Sequence, residues 1–244
     1  WEQWLKEPDL LLPTSNEDSA SAADIIELHR SAGAEWGSAD ALRHRRDASP
    51  HFTGRESMGS WPDSLPRPMV SIVMPTWNRA GKLRASVESA LAQTWGAWEL
   101  IIVDDGSWDD TAVLSSLLAE RDPRIVYMPR PHEGVGAARN AGIDVAKGAF
   151  ITFLDSDNEW EPHFLENMMV GMREHHAEVA FATIEIDRGA EPFYREAPAT
   201  SEALELGNVV DLNTLVTTAE ALRSVGGFDT RLARAVDYDL VLRL

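Results

Sequence analysis

The 244-residue chain contains no cysteine. Disulfides, thiolate zinc sites and cysteine nucleophiles are therefore excluded. Positive charge is also scarce: 22 Lys and Arg stand against 40 Asp and Glu, a formal net charge of −18. A surface that acidic repels a phosphate backbone, which argues against a nucleic-acid partner. Any phosphate-bearing ligand then needs local neutralisation, by a metal ion or a few placed arginines. No apolar run approaches the ~20 residues a membrane helix needs, and no signal peptide opens the chain. The first residue is Trp1 rather than Met, so a processed chain or a fragment is expected. Hydrophobic residues make up 44% and charged residues 25%, the balance of an ordinary soluble globular protein. A soluble, cytoplasmic protein is expected, peripheral to a membrane only through other regions or partners.

Residues 1–68 read as an N-terminal extension. Ser19 to Ser31 has the pattern of one helix, with Ile25, Ile26 and Leu28 on its apolar side. From Gly33 to Pro68 the chain is dense in Gly, Ser and Pro and carries a basic cluster at Arg43, His44, Arg45 and Arg46, the composition of a solvated linker. Regular pattern begins at Met69 and continues to Leu244. Val70–Met74, Leu100–Val103, Ile125–Met128 and Phe150–Leu154 are short apolar runs that read as buried strands. Helical spacing follows each of them, on Leu83, Val87 and Ala90, on Val113, Leu114, Leu117 and Leu118, on Val135, Ala138 and Gly142, and on Phe164, Leu165, Met168, Met169 and Met172. Gly148 is expected to stop the third helix. Later strands are expected over Val179–Ile186 and Val209–Thr217, and helices over Ala219–Ser224 and Asp237–Leu244. Four strand–helix alternations with near-continuous apolar strands predict an α/β fold, a mainly parallel sheet with helices on both faces.

Ligands of such sheets bind outside the carboxyl ends of the strands. Strand one ends in Pro75-Thr76-Trp77-Asn78-Arg79, strand two in Asp104-Asp105-Gly106-Ser107 and strand four in Asp155-Ser156-Asp157-Asn158. One rim thus collects four carboxylates, an indole and a guanidinium. Carboxylates so grouped repel one another unless a cation or a hydrogen-bonding ligand joins them. A hard divalent ion bridging to phosphates resolves the repulsion. An Asp-x-Asp alone is weak evidence, since a second occurs at Asp237 and Asp239; its place after an apolar strand strengthens it. Other chemistries fail. Gly134-Val135-Gly136-Ala137-Ala138-Arg139 breaks the dinucleotide fingerprint at its last position. There is no P-loop, zinc-binding His-Glu-x-x-His helix or Gly-x-Ser-x-Gly elbow.

These strand-end motifs, with Arg139-Asn140-Ala141-Gly142, Gly226-Gly227-Phe228-Asp229 and Asp237-Tyr238-Asp239-Leu240, closely resemble glycosyltransferase family 2, inverting enzymes of GT-A fold, a Rossmann-like architecture. The resemblance runs from about Pro68 to Leu244. It implies that Pro75, Thr76, Trp77, Arg79 and Asp105 hold the nucleoside, with Asp104 supporting Asp105, Arg139 near the nucleotide and Ser156 beside it. It implies that Asp157 binds Mn²⁺ or Mg²⁺ on a diphosphate directly, and that Asp155 does so through ribose or water. Asp237 maps to the general base. The implied reaction moves a sugar from a nucleoside-diphosphate sugar, UDP-sugar favoured, to a carbohydrate or other hydroxyl acceptor, in polysaccharide, cell-surface glycan or glycoconjugate synthesis.

Two departures stand out. Val236 occupies the position of the Glu that usually precedes the base, and the sequence stops at Leu244, so the domain of residues 69–244 is expected to be truncated at its C-terminal end. Two alternatives remain at this point. A non-catalytic sugar-nucleotide-binding module fits the departures. A sugar-nucleotide pyrophosphorylase shares the layout but needs a glycine-rich loop after strand one, and no glycine precedes Gly81 there.

Overall fold

The computed structural model describes residues 60–186, 193–195, 210–232 and 235–244. The helix expected over Ser19–Ser31 and the basic cluster at Arg43–Arg46 lie outside these residues. Strands β1 (Val70–Thr76) and β2 (Trp98–Asp105) are buried along their whole length. Their side chains alternate between two apolar layers: Val70, Ile72, Met74, Trp98, Leu100 and Ile102 enter one, and Val73, Ile101 and Val103 enter the other. Fully burying each Val, Ile, Leu or Met contributes about 1.5–3 kcal/mol, so both faces have to be covered. Helices α1 (Ala80–Leu91), α2 (Thr111–Arg121) and α4 (Phe164–His175) cover the first face. Helices α3 (Val135–Val145), α5 (Ala219–Ser224) and α6 (Val236–Arg243) cover the second.

Four further strands join the main sheet: β3 (Ile125–Arg130), β4 (Phe150–Phe153), β5 (Val179–Phe181) and β8 (Leu215–Thr218). Its order is β3-β2-β1-β4-β8-β5. The first four run parallel, β8 is antiparallel to β4, and β5 is antiparallel to β8. Strands β6 (Ile184–Ile186) and β7 (Phe193–Arg195) form a separate antiparallel pair. The expected α/β class and mainly parallel sheet are what the structure has.

Three local expectations change. The strand expected over Val179–Ile186 is two strands, because the chain leaves β8 after Phe181 and pairs with β7 from Ile184. The strand expected from Val209 starts only at Leu215, after a 3₁₀ turn at Leu212–Thr214. Asp211 holds that turn by accepting from the Asn213 amide at 3.0 Å, a side-chain bond that competes with the sheet ladder. Gly148 does not stop α3, which ends at Val145. A Cβ at Gly148 would lie 2.6 Å from the Ser71 amide nitrogen, so it permits backbone contact with β1. Upstream of β1, Trp61 packs edge-on against Trp95 at 5.2 Å, and Arg67 lies 5.0 Å from the same indole. Among the described residues no helix is long and apolar enough to cross a membrane.

Candidate active site

Sheet register decides which loops meet. Thr76 stands beside Asp104, and Asp105 beside Arg130, so the ends of β1, β2 and β3 are level. Strand β4 stops at Phe153 opposite Val73, and the Asp155–Asp157 turn therefore rises alongside Pro75 and Thr76. The first two loops are laced together. The Asn78 amide donates to Ser107 Oγ at 2.8 Å, the Trp108 amide to Asn78 Oδ1 at 2.9 Å and the Arg79 amide to Thr111 Oγ1 at 2.9 Å. Asp104 is 2% exposed, accepting from the Ser107 amide at 2.9 Å and the Tyr127 hydroxyl at 3.0 Å. Burial, reinforced by the Asp104 charge, pushes the Tyr127 phenol up to about 12, so it stays a donor. Asp104 is thus a fixture of the turn and not part of the cleft wall.

A cleft of ≈ 270 Å³ opens at this rim. It brings together Pro75, Thr76, Trp77, Arg79, Asp105, Arg139, Asp155, Ser156 and Asp157, with His132 and Val135 completing the wall. Asp105 is nearly enclosed: its Oδ1 accepts from the Glu133 amide at 2.8 Å and its Oδ2 from the Gly134 amide at 3.0 Å. Trp77 is 42% exposed and presents its ring to the cleft. The hydroxyl of Thr76 and Nε of Arg139 are buried polar atoms with no hydrogen-bond partner. Both residues line the cleft, and such atoms cost free energy until a ligand or water meets them. A second hollow of ≈ 210 Å³ lies at Trp61, Phe150, Met169 and Met172, but it holds none of these strand-end residues.

Arg139 organises the far side. Its side chain is 4% exposed, and it donates from Nη2 to Asp155 Oδ1 at 2.8 Å and from Nη1 to Asp237 Oδ1 at 2.6 Å. Burial works against its charge, but the two carboxylates outweigh that and hold the guanidinium protonated. Asp237 does not line the cleft itself; it reaches the rim through this bridge. Burial pushes the Asp237 carboxyl up, Arg139 opposes the shift and Asp155 adds to it. The position of Asp237 follows from a turn clamped onto α3. Asn140 accepts from the Phe228 amide and donates to the Phe228 carbonyl, both at 2.8 Å. Gly227 sits at φ +68°, where a Cβ would be 2.6 Å from Asn140 Oδ1. Arg243 of α6 donates to the Val225 and Gly227 carbonyls at 2.6 and 2.8 Å, tying α6 to the same turn.

The model of glycosyl transferase family 2 matches residues 71–223. This chain belongs to that family. Within it, the chain is 33% identical over 187 residues to WcaA of Escherichia coli (strain K12), named as a colanic acid biosynthesis glycosyl transferase, covering 72% of this chain and 66% of that protein. It is 31% identical over 185 residues to the chondroitin synthase of Pasteurella multocida (strain Pm70), covering 72% of this chain and 19% of that one. The chain thus spans less than two thirds of either relative's length. Among solved structures, TarS 1–349 of S. aureus superposes with a TM-score of 0.62 at 21% identity, over 72% of this chain and 55% of that one. The likeness shows a shared GT-A fold.

Three residues in or beside the cleft were not among those expected from the sequence. His132 stacks on Trp77 with ring centroids 4.4 Å apart. Lys82 and Arg79 lie 3.6 and 3.5 Å from Asp157 Oδ2. Asn213, from the 3₁₀ turn, accepts from the Asp155 amide at 2.6 Å and donates to Asp155 Oδ2 at 3.2 Å. Each depends on a distant segment folding back, although Lys82 lies one helical turn beyond Arg79 and its face was readable. Arg79, Lys82 and Arg139 thus set cations among the carboxylates of this rim.

Proposed function

We propose that the chain is the donor-binding and base-bearing part of an inverting, metal-dependent glycosyltransferase. It moves a sugar from a UDP-sugar to an acceptor hydroxyl in the synthesis of a polysaccharide, cell-surface glycan or glycoconjugate, in the cytoplasm. The observation that carries this reading is the Arg139 bridge, which joins the Asp155-x-Asp157 turn to Asp237 through one buried guanidinium. UDP and UDP-GlcNAc complexes of TarS, structures of similar fold, support the choice of donor.

Trp77 and Asp105 hold the base in this reading, and the unpartnered Thr76 hydroxyl faces the nucleoside. The donor set fits a divalent ion. Asp155 and Asp157 are hard oxygen donors, and Mg²⁺ or Mn²⁺ takes one or two carboxylates when phosphate oxygens and water complete its shell. Among the described residues no group of three or more His, Cys, Asp or Glu is available, so phosphate has to contribute. A similarly folded mannosyltransferase of Pyrobaculum calidifontis, with a TM-score of 0.57 and 20% identity, was solved with GDP-Man and Mn²⁺. Asp157 would hold the ion, with Asp155 behind it, and the ion would neutralise the diphosphate leaving group. Asp157 is freed for this by its partners, since Arg79 and Lys82 are long, half-exposed side chains able to turn toward phosphate.

Asp237 takes the proton from the acceptor hydroxyl as that oxygen attacks the anomeric carbon. One displacement inverts the configuration and uses no enzyme nucleophile. Burial raises the proton affinity of Asp237 and Arg139 opposes the rise, the direction of tuning that suits a general base. Asp237→Asn tests this. UDP affinity is expected to stay within a few-fold, while UDP release from UDP-sugars with hydroxyl acceptors falls about 10²–10⁴-fold. Turnover near that of the parent removes Asp237 from the mechanism. A parent that binds UDP but never releases it from any donor is instead a binding module.

A further inference from the structure

We infer that His132 is a resident occupant of the nucleobase slot, a specificity-determining residue that the base must displace to reach Trp77 and Asp105. This rests on the donor-site reading above and concerns the same cleft. The imidazole lies nearly flat on the Trp77 indole, with 4.4 Å between centroids and 16° between planes. Its Nδ1 is 2.8 Å from Asp105 Oδ2 and 3.0 Å from the Asp105 carbonyl oxygen. One planar ring therefore stacks on the indole and points a ring nitrogen at the carboxylate. Those are the two contacts a nucleobase with a ring N–H would make there.

Two rings cannot share one face of Trp77, so a base stacked there takes the place of the imidazole. At Oδ2 the Gly134 amide at 3.0 Å and His132 Nδ1 occupy both lone pairs, so a base reaching that oxygen also competes with the imidazole. Trp77 already has a second ring, Trp108, packed at a right angle with centroids 5.2 Å apart. The imidazole is free to leave: its side chain is 52% exposed, and its neighbours Pro131 and Glu133 are exposed as well. The slot does not collapse when it goes. Asp105 stays anchored on the Glu133 and Gly134 amides. The loop backbone stays seated on Gly106, where even a methyl group would come within 2.9 Å of the His132 backbone nitrogen. Displacement lowers the apparent affinity of every base-bearing ligand by the fraction of molecules whose slot is open. A sugar phosphate with no aromatic face and no ring N–H has nothing to offer in exchange, and the slot stays closed to it.

The experiment is calorimetry of UDP with Mn²⁺ on the parent chain and on His132→Ala. Removal of one ring contact and one hydrogen bond from the closed slot is expected to tighten UDP binding about 5- to 30-fold. Equal or weaker binding by the variant, with the parent binding UDP, overturns the displacement and leaves the donor-site reading standing. Absence of UDP binding by both overturns the two together. A second measurement needs no change in affinity. The His132 ring-proton resonance, assigned by its absence from His132→Ala, is expected to lose the ring-current shift of Trp77 when UDP is added to the parent. A resonance that stays in place as UDP saturates the protein overturns the proposal.

Discussion

Arg139 stands on the second turn of α3 with its guanidinium between Asp155 and Asp237, 2.8 and 2.6 Å from their oxygens. Without that cation the two carboxylates face each other across a partly buried space and repel. The sign of the consequence is fixed. Asp237 acts as a base only when ionised, burial already raises its proton affinity, and Arg139 is the group that opposes the rise. Arg139→Met is therefore expected to move the acid limb of the kcat/KM profile to higher pH and to depress turnover at neutral pH. Arg139→Lys, which keeps the charge but loses the two-pronged geometry, is expected to fall between parent and Met. A pH–rate series on the three proteins checks this, and an acid limb that stays put takes Arg139 out of the electrostatics of Asp237. The bridge is no statement about stability, because both carboxylates are about a third exposed and water screens them.

Helix α6 is short, eight residues, and has no side-chain cap at its start. Its placement comes from outside itself. Leu240 and Val241 enter the second apolar layer, and the Gly226–Phe228 turn is fastened to α3 by Asn140 and to α6 by Arg243. Helix α3 accepts this turn and also lies close on the sheet, where a Cβ at Gly142 would come within 2.5 Å of Val73 Cγ1. One helix thereby sets the distance between the sheet, the cleft rim and Asp237. Asn140→Asp is nearly the same shape but cannot donate to the Phe228 carbonyl. It is expected to cost about 1–3 kcal/mol in chemical denaturation, the penalty for a lost partner. Turnover is expected to fall as Asp237 drifts, while UDP affinity, which depends on the β1 and β2 ends, holds. Equal losses in both would show that α3 supports the whole cleft and not the base alone.

The molecule as a whole carries a formal charge of −18, yet Arg79, Lys82 and Arg139 lie around the cleft where the proposed diphosphate would bind. Binding there is linked to folding, since only the folded chain assembles that rim. At a free UDP concentration 100-fold above Kd, with Mn²⁺ present, the folded state is expected to gain about 2.7 kcal/mol. For a chain of this size each kcal/mol raises Tm by roughly 2–4 °C. Chelator is expected to remove most of the rise, and Asp157→Ala is expected to show none with or without Mn²⁺. A thermal-melt series over UDP, Mn²⁺ and chelator checks both. A full rise in chelator would mean that Arg79 and Lys82 neutralise the phosphates without an ion.

The strands β1, β2 and β4, their order of appearance and the acidic motifs at their ends were legible in the residues alone. A strand buried on both faces has to be apolar throughout, and that demand leaves a local, periodic trace. Membership of glycosyl transferase family 2 was legible for the same reason, because its motifs lie at strand ends whose spacing the sheet fixes. The contacts that give those motifs their chemistry were not. Arg139 meets Asp237 across 98 positions, Asp155 meets Asn213 across 58 and Asp105 meets the Glu133 amide across 28. Val179–Ile186 has one uniform pattern but two pairing partners, β8 and β7. Pattern records what a residue must bury, whereas partners at such separations are chosen by the packing of the entire sheet and its helices, which no short stretch of chain encodes.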